Sequence, residues 1–198
     1  MYRKNLKDEY YTRKSREENY PARSVYKLQE IDEKFKIFKT GDCVLDLGCA
    51  PGSWLLYIAE KVGDKGKAIG TDIMDLKIKL PENAEFIKSD IIDFNIDKTF
   101  DIVVSDVAPH TSGEHFVDAE NSLECCERVL EIMKNNLKAG GNFVCKILEG
   151  EGTGNFFQKI KKSFESAKIY KPRASRKESR ETYIIGKNYG TNRIQKRL

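Results

Sequence analysis

A lysine within an apolar segment is the first residue of this sequence that could do chemistry. Residues 143–148, FVCKIL, have the length and composition of a buried strand, with glycines on either side and Lys146 among them. A buried amine must find a partner, reach water or lose its proton. A lysine that has lost its proton is a general base, whereas a paired lysine is a structural ion-pair partner. We therefore predict that Lys146 acts as a base, with the ion pair as the alternative.

Acidic residues follow the ends of three predicted strands. These are Asp72, Asp90 and Asp106, and a glycine-containing loop, GCAPGSW at 48–54, follows an earlier strand. Parallel α/β sheets bind ligands at the carboxyl ends of their strands, where an acid after the second strand typically holds ribose hydroxyls. The loop lacks the GxGxxG pattern that cradles a pyrophosphate. The combination favours S-adenosyl-L-methionine over NAD, although each acid alone could equally cap a helix or a turn.

Positive charge is concentrated at both ends of the chain. Residues 1–27 contain eight Lys/Arg against four Asp/Glu, and residues 159–198 contain thirteen against three. The middle, residues 28–158, contains fourteen Lys/Arg against twenty-four Asp/Glu. Two basic ends indicate contact with a polyanion such as RNA, and solvated helix surface is the alternative. The N-terminal cations alternate with tyrosines that could stack on bases, namely Tyr2, Tyr10, Tyr11, Tyr20 and Tyr26.

Size and composition indicate a single soluble domain over residues 1–198. By its charge, the basic segment 1–40 is expected to contribute to binding of a nucleic acid such as RNA. The chain is 39% hydrophobic and 33% charged, and it contains no apolar run of membrane-spanning length. The N-terminus lacks the apolar core of a secretory signal. The chain has five cysteines. None of them belongs to a CxxC pair, and none lies at metal-ligand spacing from a histidine, so we expect no metal. We expect a monomer in the cytoplasm, or in an organelle if a targeting segment has been removed.

Predicted strands and helices alternate along the chain, which indicates an α/β fold with a doubly wound, mostly parallel seven-stranded sheet. A first helix, following Pro21, carries apolar residues at helical spacing, and the two last strands should form an antiparallel hairpin. The predicted strands are 43–47, 67–72, 84–90, 100–106, the run within 141–150, 166–172 and 182–187, and the later helices are 53–62, 118–138 and 154–165.

Five segments resemble the FtsJ-type RNA 2′-O-methyltransferases, in the order that this family shows. They are ARSVYKLQEI (22–31), DLGCAPGSW (46–54), SDVAPHTSG (105–113), FVCKILEGEG (143–152) and SRKESRETYIIG (175–186). The compact length is similar to the ribosomal RNA branch of that family. Ser53 stands where that branch commonly has glycine, which leans toward the transfer-RNA branch, and His110 stands where asparagine is frequent.

The resemblance implies a Rossmann-like fold that binds S-adenosyl-L-methionine and methylates a ribose 2′-hydroxyl, most often of a uridine in large-subunit ribosomal RNA. It implies a catalytic tetrad of Lys27, Asp106, Lys146 and Glu181. The cofactor contacts that we expect are Gly48, Gly52, Ser53, Trp54, Asp72, Asp90 and Asp106. The RNA contacts that we expect are Arg23, Arg173, Arg176 and Arg180. A transfer-RNA methyltransferase and a non-catalytic RNA-binding assembly protein on the same fold are the alternatives.

The implied tetrad suits transfer of a methyl group to a weakly acidic hydroxyl, which needs positioning and a base. Desolvation and a nearby cation, here Lys27 and the sulfonium of the cofactor, favour the neutral form of a lysine. Asp106 and Glu181 oppose this effect, so their expected work is to orient the amine and to offset the positive charges. The histidines His110 and His115 are other possible bases in the loop after Asp106, but we expect both to be ordinary loop residues.

Overall fold

The computed structural model describes residues 6–109 and 112–190 of the chain. Five helices and seven strands follow one another in these residues. In chain order they are α1 Leu6–Glu17, α2 Val25–Phe35, β1 Cys43–Leu47, α3 Ser53–Val62, β2 Lys67–Asp72, β3 Ala84–Lys88, β4 Phe100–Ser105, α4 His115–Asn136, β5 Leu137–Leu148, α5 Thr153–Ser163, β6 Phe164–Tyr170 and β7 Glu181–Tyr189.

The seven strands form one sheet in the order β3-β2-β1-β4-β5-β7-β6. Neighbouring strands from β3 to β5 are parallel, whereas β7 is antiparallel to both β5 and β6. The α/β class, the mostly parallel sheet and the C-terminal hairpin are thus confirmed. The order of strands reverses between β1 and β4, and their carboxyl ends are where such sheets bind ligands.

Alternating side chains of the central strands build two separate cores on opposite faces of the sheet. On one face, Val44, Val104 and Val144 pack with apolar residues of α2 and α3. On the other face, Leu45 and Val103 pack with α4 and α5. Helices cover both faces, as a doubly wound sheet requires.

The predicted and observed elements differ chiefly at their ends and at the N-terminus. Strand β5 begins at Leu137, earlier than predicted, and its pairing with β4 shifts register between Phe100 and Ile102. This irregularity includes Gly141, where an added Cβ would lie 2.7 Å from the backbone oxygen of Asp101. Helix α1 occupies a segment for which the sequence predicted no separate element. It is held by tertiary contacts, including that between the tilted rings of Tyr11 and Tyr26, whose centroids are 5.2 Å apart.

No helix in the described ranges is long and apolar enough to cross a membrane. The cysteines Cys43, Cys49, Cys125, Cys126 and Cys145 are all free thiols, and three of them are buried.

Candidate active site

The amine of Lys146 lies at the carboxyl end of the sheet, directly beside Asp106. Its side chain is only 5% exposed, because it projects from the same face of β5 as Val144, which α2 and α3 cover. Its Nζ donates to the backbone oxygen of Asp106 at 2.6 Å and lies 3.2 Å from the carboxylate Oδ1 of the same residue. The structure therefore gives the buried lysine a partner, which is one of the three outcomes that the sequence left open, and that partner is another member of the predicted tetrad. The role of Lys146 as a base stays a prediction.

The other two members of the tetrad form a second pair. Lys27, on α2, and Glu181, the first residue of β7, are joined by a bond of 2.7 Å from Nζ to Oε2. Burial acts to raise the pKa of Glu181, but the charge and hydrogen bond of Lys27, with a further contribution from Lys146, lower it below its ordinary value. Both lysines thus act on the same carboxylate, and the structure brings all four predicted residues together.

A tyrosine that the sequence did not single out contacts the Lys146–Asp106 pair. Tyr183 lies opposite Lys146 in the β5–β7 register, and its hydroxyl donates to Asp106 Oδ1 at 2.8 Å. Burial, and then the carboxylates of Asp106 and Glu181, raise the pKa of Tyr183 well above its ordinary value, so the phenol stays a donor. The available signal was alternation in β7, which places Tyr183 two residues after Glu181 on the same face.

A cavity of about 440 Å³ opens beside this cluster, between the ends of β1, β2 and β4. Four predicted cofactor contacts, Gly48, Asp72, Asp90 and Asp106, line it. Exposed apolar side chains, including Ile73, complete the wall, so the cavity offers both carboxylates and an apolar surface to a ligand. This composition fits a nucleoside, which has a sugar with hydroxyl donors and a flat apolar base.

The carboxylate of Asp72 also holds the loop that precedes α3. Its Oδ2 accepts from the backbone N–H of Ala50, and its Oδ1 from that of Met74, each at 2.9 Å. Capping of turns, the alternative considered for the strand-end acids, is therefore real here. It coexists with ligand binding, because a carboxylate oxygen can accept more than one hydrogen bond. At Gly48, with φ at +77°, an added Cβ would lie 2.7 Å from Val107, so the loop needs glycine there.

The three remaining predicted cofactor contacts do not line this cavity in the described part of the chain. Gly52 precedes α3 as its N-cap. The hydroxyl of Ser53 accepts from the backbone N–H of Ala22 at 2.7 Å, and the indole N–H of Trp54 donates to the backbone oxygen of Ser24 at 3.0 Å. Ser53 and Trp54 thus fix the segment before α2, which carries Lys27. Their roles as cofactor contacts, and that of Gly52, stay predictions.

A buried acid, Asp46, lies in β1 close to the cavity. Its side chain is 0% exposed, and neither carboxyl oxygen has a hydrogen-bond partner among the described residues. Burial, and then the charges of Asp106 and Asp72, raise the pKa of Asp46 well above its ordinary value of 3.8. The folded protein therefore holds a proton at Asp46 more tightly than the unfolded chain does.

We expect Asp46→Asn to raise the free energy of unfolding by an amount that grows with pH. An acid whose pKa is raised by folding lowers the free energy of unfolding of the protein as pH rises. The loss begins above the pKa of the unfolded chain and amounts to at most about 1.4 kcal/mol per pH unit. Asparagine has the same shape as aspartic acid but does not titrate, so the variant does not lose stability in this way. Urea unfolding between pH 5 and 8 measures the difference, with the exposed Asp64→Asn as the matched control. A difference independent of pH would contradict the assignment.

The four arginines predicted to bind RNA lie in three different environments. Arg23 and Arg176 both contact Asp8 of α1. Arg180 donates to the backbone oxygens of His115 and Glu149, which ties the start of β7 to the end of β5 and the start of α4. Arg173 is exposed. RNA contact by these four residues stays a prediction, as does RNA binding by the segment 1–40.

The remaining candidates for chemistry do not line the cavity between the ends of β1, β2 and β4, or lie outside the described residues. His115 is exposed at the start of α4, and the prediction for His110 falls outside the described residues. Across residues 6–109 and 112–190, no group of three or more His, Cys, Asp or Glu side chains could hold a metal ion.

Comparison with known proteins identifies many similar chains. The family of FtsJ-like methyltransferases matches residues 20–189. A relative from Desulforapulum autotrophicum, named ribosomal RNA large subunit methyltransferase E, is 46% identical over 190 residues, which are 93% of this chain and 94% of the relative. A relative of the same name from Bdellovibrio bacteriovorus is 42% identical over 191 residues, 92% of this chain and 96% of its own. The crystal structure of a ribosomal RNA methyltransferase from Plasmodium falciparum superposes with a TM-score of 0.77 at 31% identity, covering 86% of this chain and 98% of that one.

Proposed function

This chain belongs to the FtsJ-like methyltransferase family, and from that membership we propose that it methylates a ribose 2′-hydroxyl, at a uridine, in large-subunit ribosomal RNA. The chain is a methyltransferase. The substrate is proposed because similar proteins of nearly the same length carry the name ribosomal RNA large subunit methyltransferase E. We propose S-adenosyl-L-methionine as the methyl donor, which supplies an activated methyl group when it is bound.

One observation supports the proposal most directly: Asp106 belongs to both parts of the site. It lines the cavity that suits a nucleoside, and it also holds the amine of Lys146 through two oxygens. A hydroxyl that reached this amine from outside would therefore lie next to the cavity. Proximity of donor and acceptor supplies much of the rate of such a transfer.

The roles proposed for the side chains follow from their contacts. Asp72, at the end of β2, would hold a bound cofactor by accepting hydrogen bonds from its ribose hydroxyls, and Asp90 would contact its base. Lys146 takes the proton of the RNA 2′-hydroxyl, while Asp106 fixes the position of its amine. Lys27 and Glu181 form a hydrogen-bonded pair on the RNA side, which can orient the ribose. Tyr183 holds the carboxylate of Asp106 in place.

We also propose that the protein acts as a monomer on RNA in the cytoplasm. The relatives named above that carry the methyltransferase E name come from bacteria, which supports the cytoplasm over an organelle. A transfer-RNA substrate is the alternative within the same chemistry, and binding without catalysis is the alternative outside it.

Incubation with isotope-labelled S-adenosyl-L-methionine tests the proposal. Separate reactions contain purified large ribosomal subunits, protein-free ribosomal RNA and transfer RNA, and nucleosides are identified by mass spectrometry after digestion. We expect label in 2′-O-methyluridine from one or both ribosomal samples. Label only in transfer RNA would refute the substrate, label on a base would refute the methylated atom, and the absence of label from all three would refute catalysis.

A further inference from the structure

The side chain of Asp8, on the N-terminal helix α1, lies between two arginines from distant parts of the chain. Its Oδ1 is 2.7 Å from Nη1 of Arg23, and its Oδ2 is 2.9 Å from Nε of Arg176. Arg23 precedes α2, and Arg176 lies in the connection between β6 and β7. Three segments that are far apart in sequence thus converge on one carboxylate.

The two arginines lie beside the catalytic pair. A cavity of about 390 Å³ is lined by Arg23, Lys27, Arg176, Glu178, Ser179 and Glu181. It therefore contains both arginines and the Lys27–Glu181 pair. A nucleic acid strand with its ribose at Lys27 and Glu181 would bring the adjacent backbone phosphate into the same cavity, because each ribose is flanked by phosphates.

Asp8 satisfies the two arginines only in part. Nη1 of Arg23 has no well-aligned hydrogen-bond acceptor among the described residues, although Asp8 Oδ1 lies within ion-pair distance. Side-chain exposures of 18% for Arg23, 25% for Asp8 and 66% for Arg176 place the cluster at the surface. The pair with Arg176 is the more exposed of the two and is therefore weak, so an anion that binds Arg176 competes with the carboxylate from the solvent side.

We propose that Arg23 and Arg176 form a binding subsite for an RNA phosphodiester, and that Asp8 occupies this subsite until RNA displaces it. The two unesterified oxygens of a phosphodiester correspond to the two carboxylate oxygens of Asp8, and arginine binds both groups through paired donors. The inference rests on the proposed function in one respect, namely that the ligand is RNA.

Displacement of Asp8 does not require α1 to leave the protein. The helix has further contacts, such as the ring contact of Tyr11 with Tyr26. The hydroxyl of Tyr26 also donates to Glu18, just beyond the helix, at 2.9 Å. The effect of Asp8 is then to lower affinity for any isolated anion. An RNA that makes further contacts overcomes this competition, so the device favours the full substrate.

Binding of a fluorescently labelled, single-stranded ribo-oligonucleotide of mixed sequence tests the proposal by anisotropy over a series of salt concentrations. We expect Asp8→Asn to lower Kd roughly threefold to tenfold, since it removes a charged competitor that is held by one exposed and one partly buried ion pair. Arg23→Gln and Arg176→Gln should each raise Kd and reduce the salt slope by about one. Glu17→Gln is the matched control, because it makes the same change of charge on α1 at an exposed pair with Arg13.

Three outcomes would overturn the proposal: unchanged or weaker binding by Asp8→Asn, an equal gain by Glu17→Gln, or a full gain by Asp8→Asn when both arginines are already glutamine. The last would show that α1 acts on some other surface. The assay contains no cofactor and measures no methyl transfer. A chain that methylates ribosomal RNA but fails this test loses only the subsite. A chain that passes it but methylates nothing loses only the proposed catalytic function.

Discussion

Replacement of Lys146 by alanine is expected to lower the rate of methyl transfer by about a thousandfold, within the range that loss of a general base produces. The amine is the group that Asp106 holds at the edge of the cavity, and alanine leaves no group there to accept the proton. Cofactor affinity should change little, because Lys146 is absent from the lining of that cavity in the described residues. Single-turnover transfer to the RNA substrate measures the rate, and calorimetry measures binding of the cofactor.

Two further substitutions separate the role of a base from that of a charge. Lys146→Arg keeps a cation but cannot accept a proton near neutral pH, so it should be almost as inactive as alanine. Lys146→Met keeps the volume of the aliphatic chain but lacks the amine. If it unfolds in urea like the native protein and is still inactive, the inactivity does not reflect misfolding. Lys65→Ala, an exposed lysine in the turn before β2, is the control and should be fully active. Substantial turnover by the arginine variant would refute the base and leave an electrostatic role.

The sheet and the burial of Lys146 within it were predictable because the relevant signals are local. An apolar run of strand length with a lysine inside it has few structural solutions, and acids after successive strands mark one edge of a parallel sheet. Asp72 is an example. The sequence offered two roles for an acid at the end of this strand, capping of a turn and a place at the binding edge, and the structure shows the residue both capping a turn and lining the cavity. Such inferences need only the order of residues within one element.

Contacts between distant segments were not predictable from residue patterns. Lys27 and Glu181 are 154 positions apart, and only the resemblance to a family placed them in one site. Tyr183 was missed because the register of β7 against β5 depends on how the hairpin closes. Helix α1 was missed because its low apolar content gives no clear periodicity, and the ion pairs of Asp8 that help to hold it depend on residues 23 and 176.

The pair formed by Lys27 and Glu181 gives the second large effect. We expect Lys27→Met to lower the rate of methyl transfer about a hundredfold and the free energy of unfolding by about 2–3 kcal/mol at pH 7, because it leaves a largely buried carboxylate without its nearest cation. The side chain of Glu181 is 26% exposed, so some solvation remains. Single-turnover kinetics and urea unfolding measure the two losses.

The pH dependence of these losses identifies their cause. In the native protein the pKa of Glu181 lies below its ordinary value of 4.5, so its contribution to stability is present above pH 4.5 and is lost as pH falls through the lowered value. Without Lys27, burial dominates and raises the pKa of Glu181, which makes the variant gain stability on acidification from pH 7 toward 4.5. The difference in unfolding free energy between the two proteins should therefore shrink over that interval.

A double substitution separates the loss of stability from the loss of catalysis. Lys27→Met with Glu181→Gln removes the unpaired acid, so it should recover most of the lost stability at pH 7 without recovering methyl transfer. If the double variant regained activity as well, the pair would serve only to hold α2 against β7. A pH-independent difference between the native protein and Lys27→Met would instead show that the lysine acts through packing of its aliphatic chain. Loss of activity with restored folding is the outcome that places the Lys27–Glu181 pair in the chemistry, where it orients the RNA ribose beside Lys146.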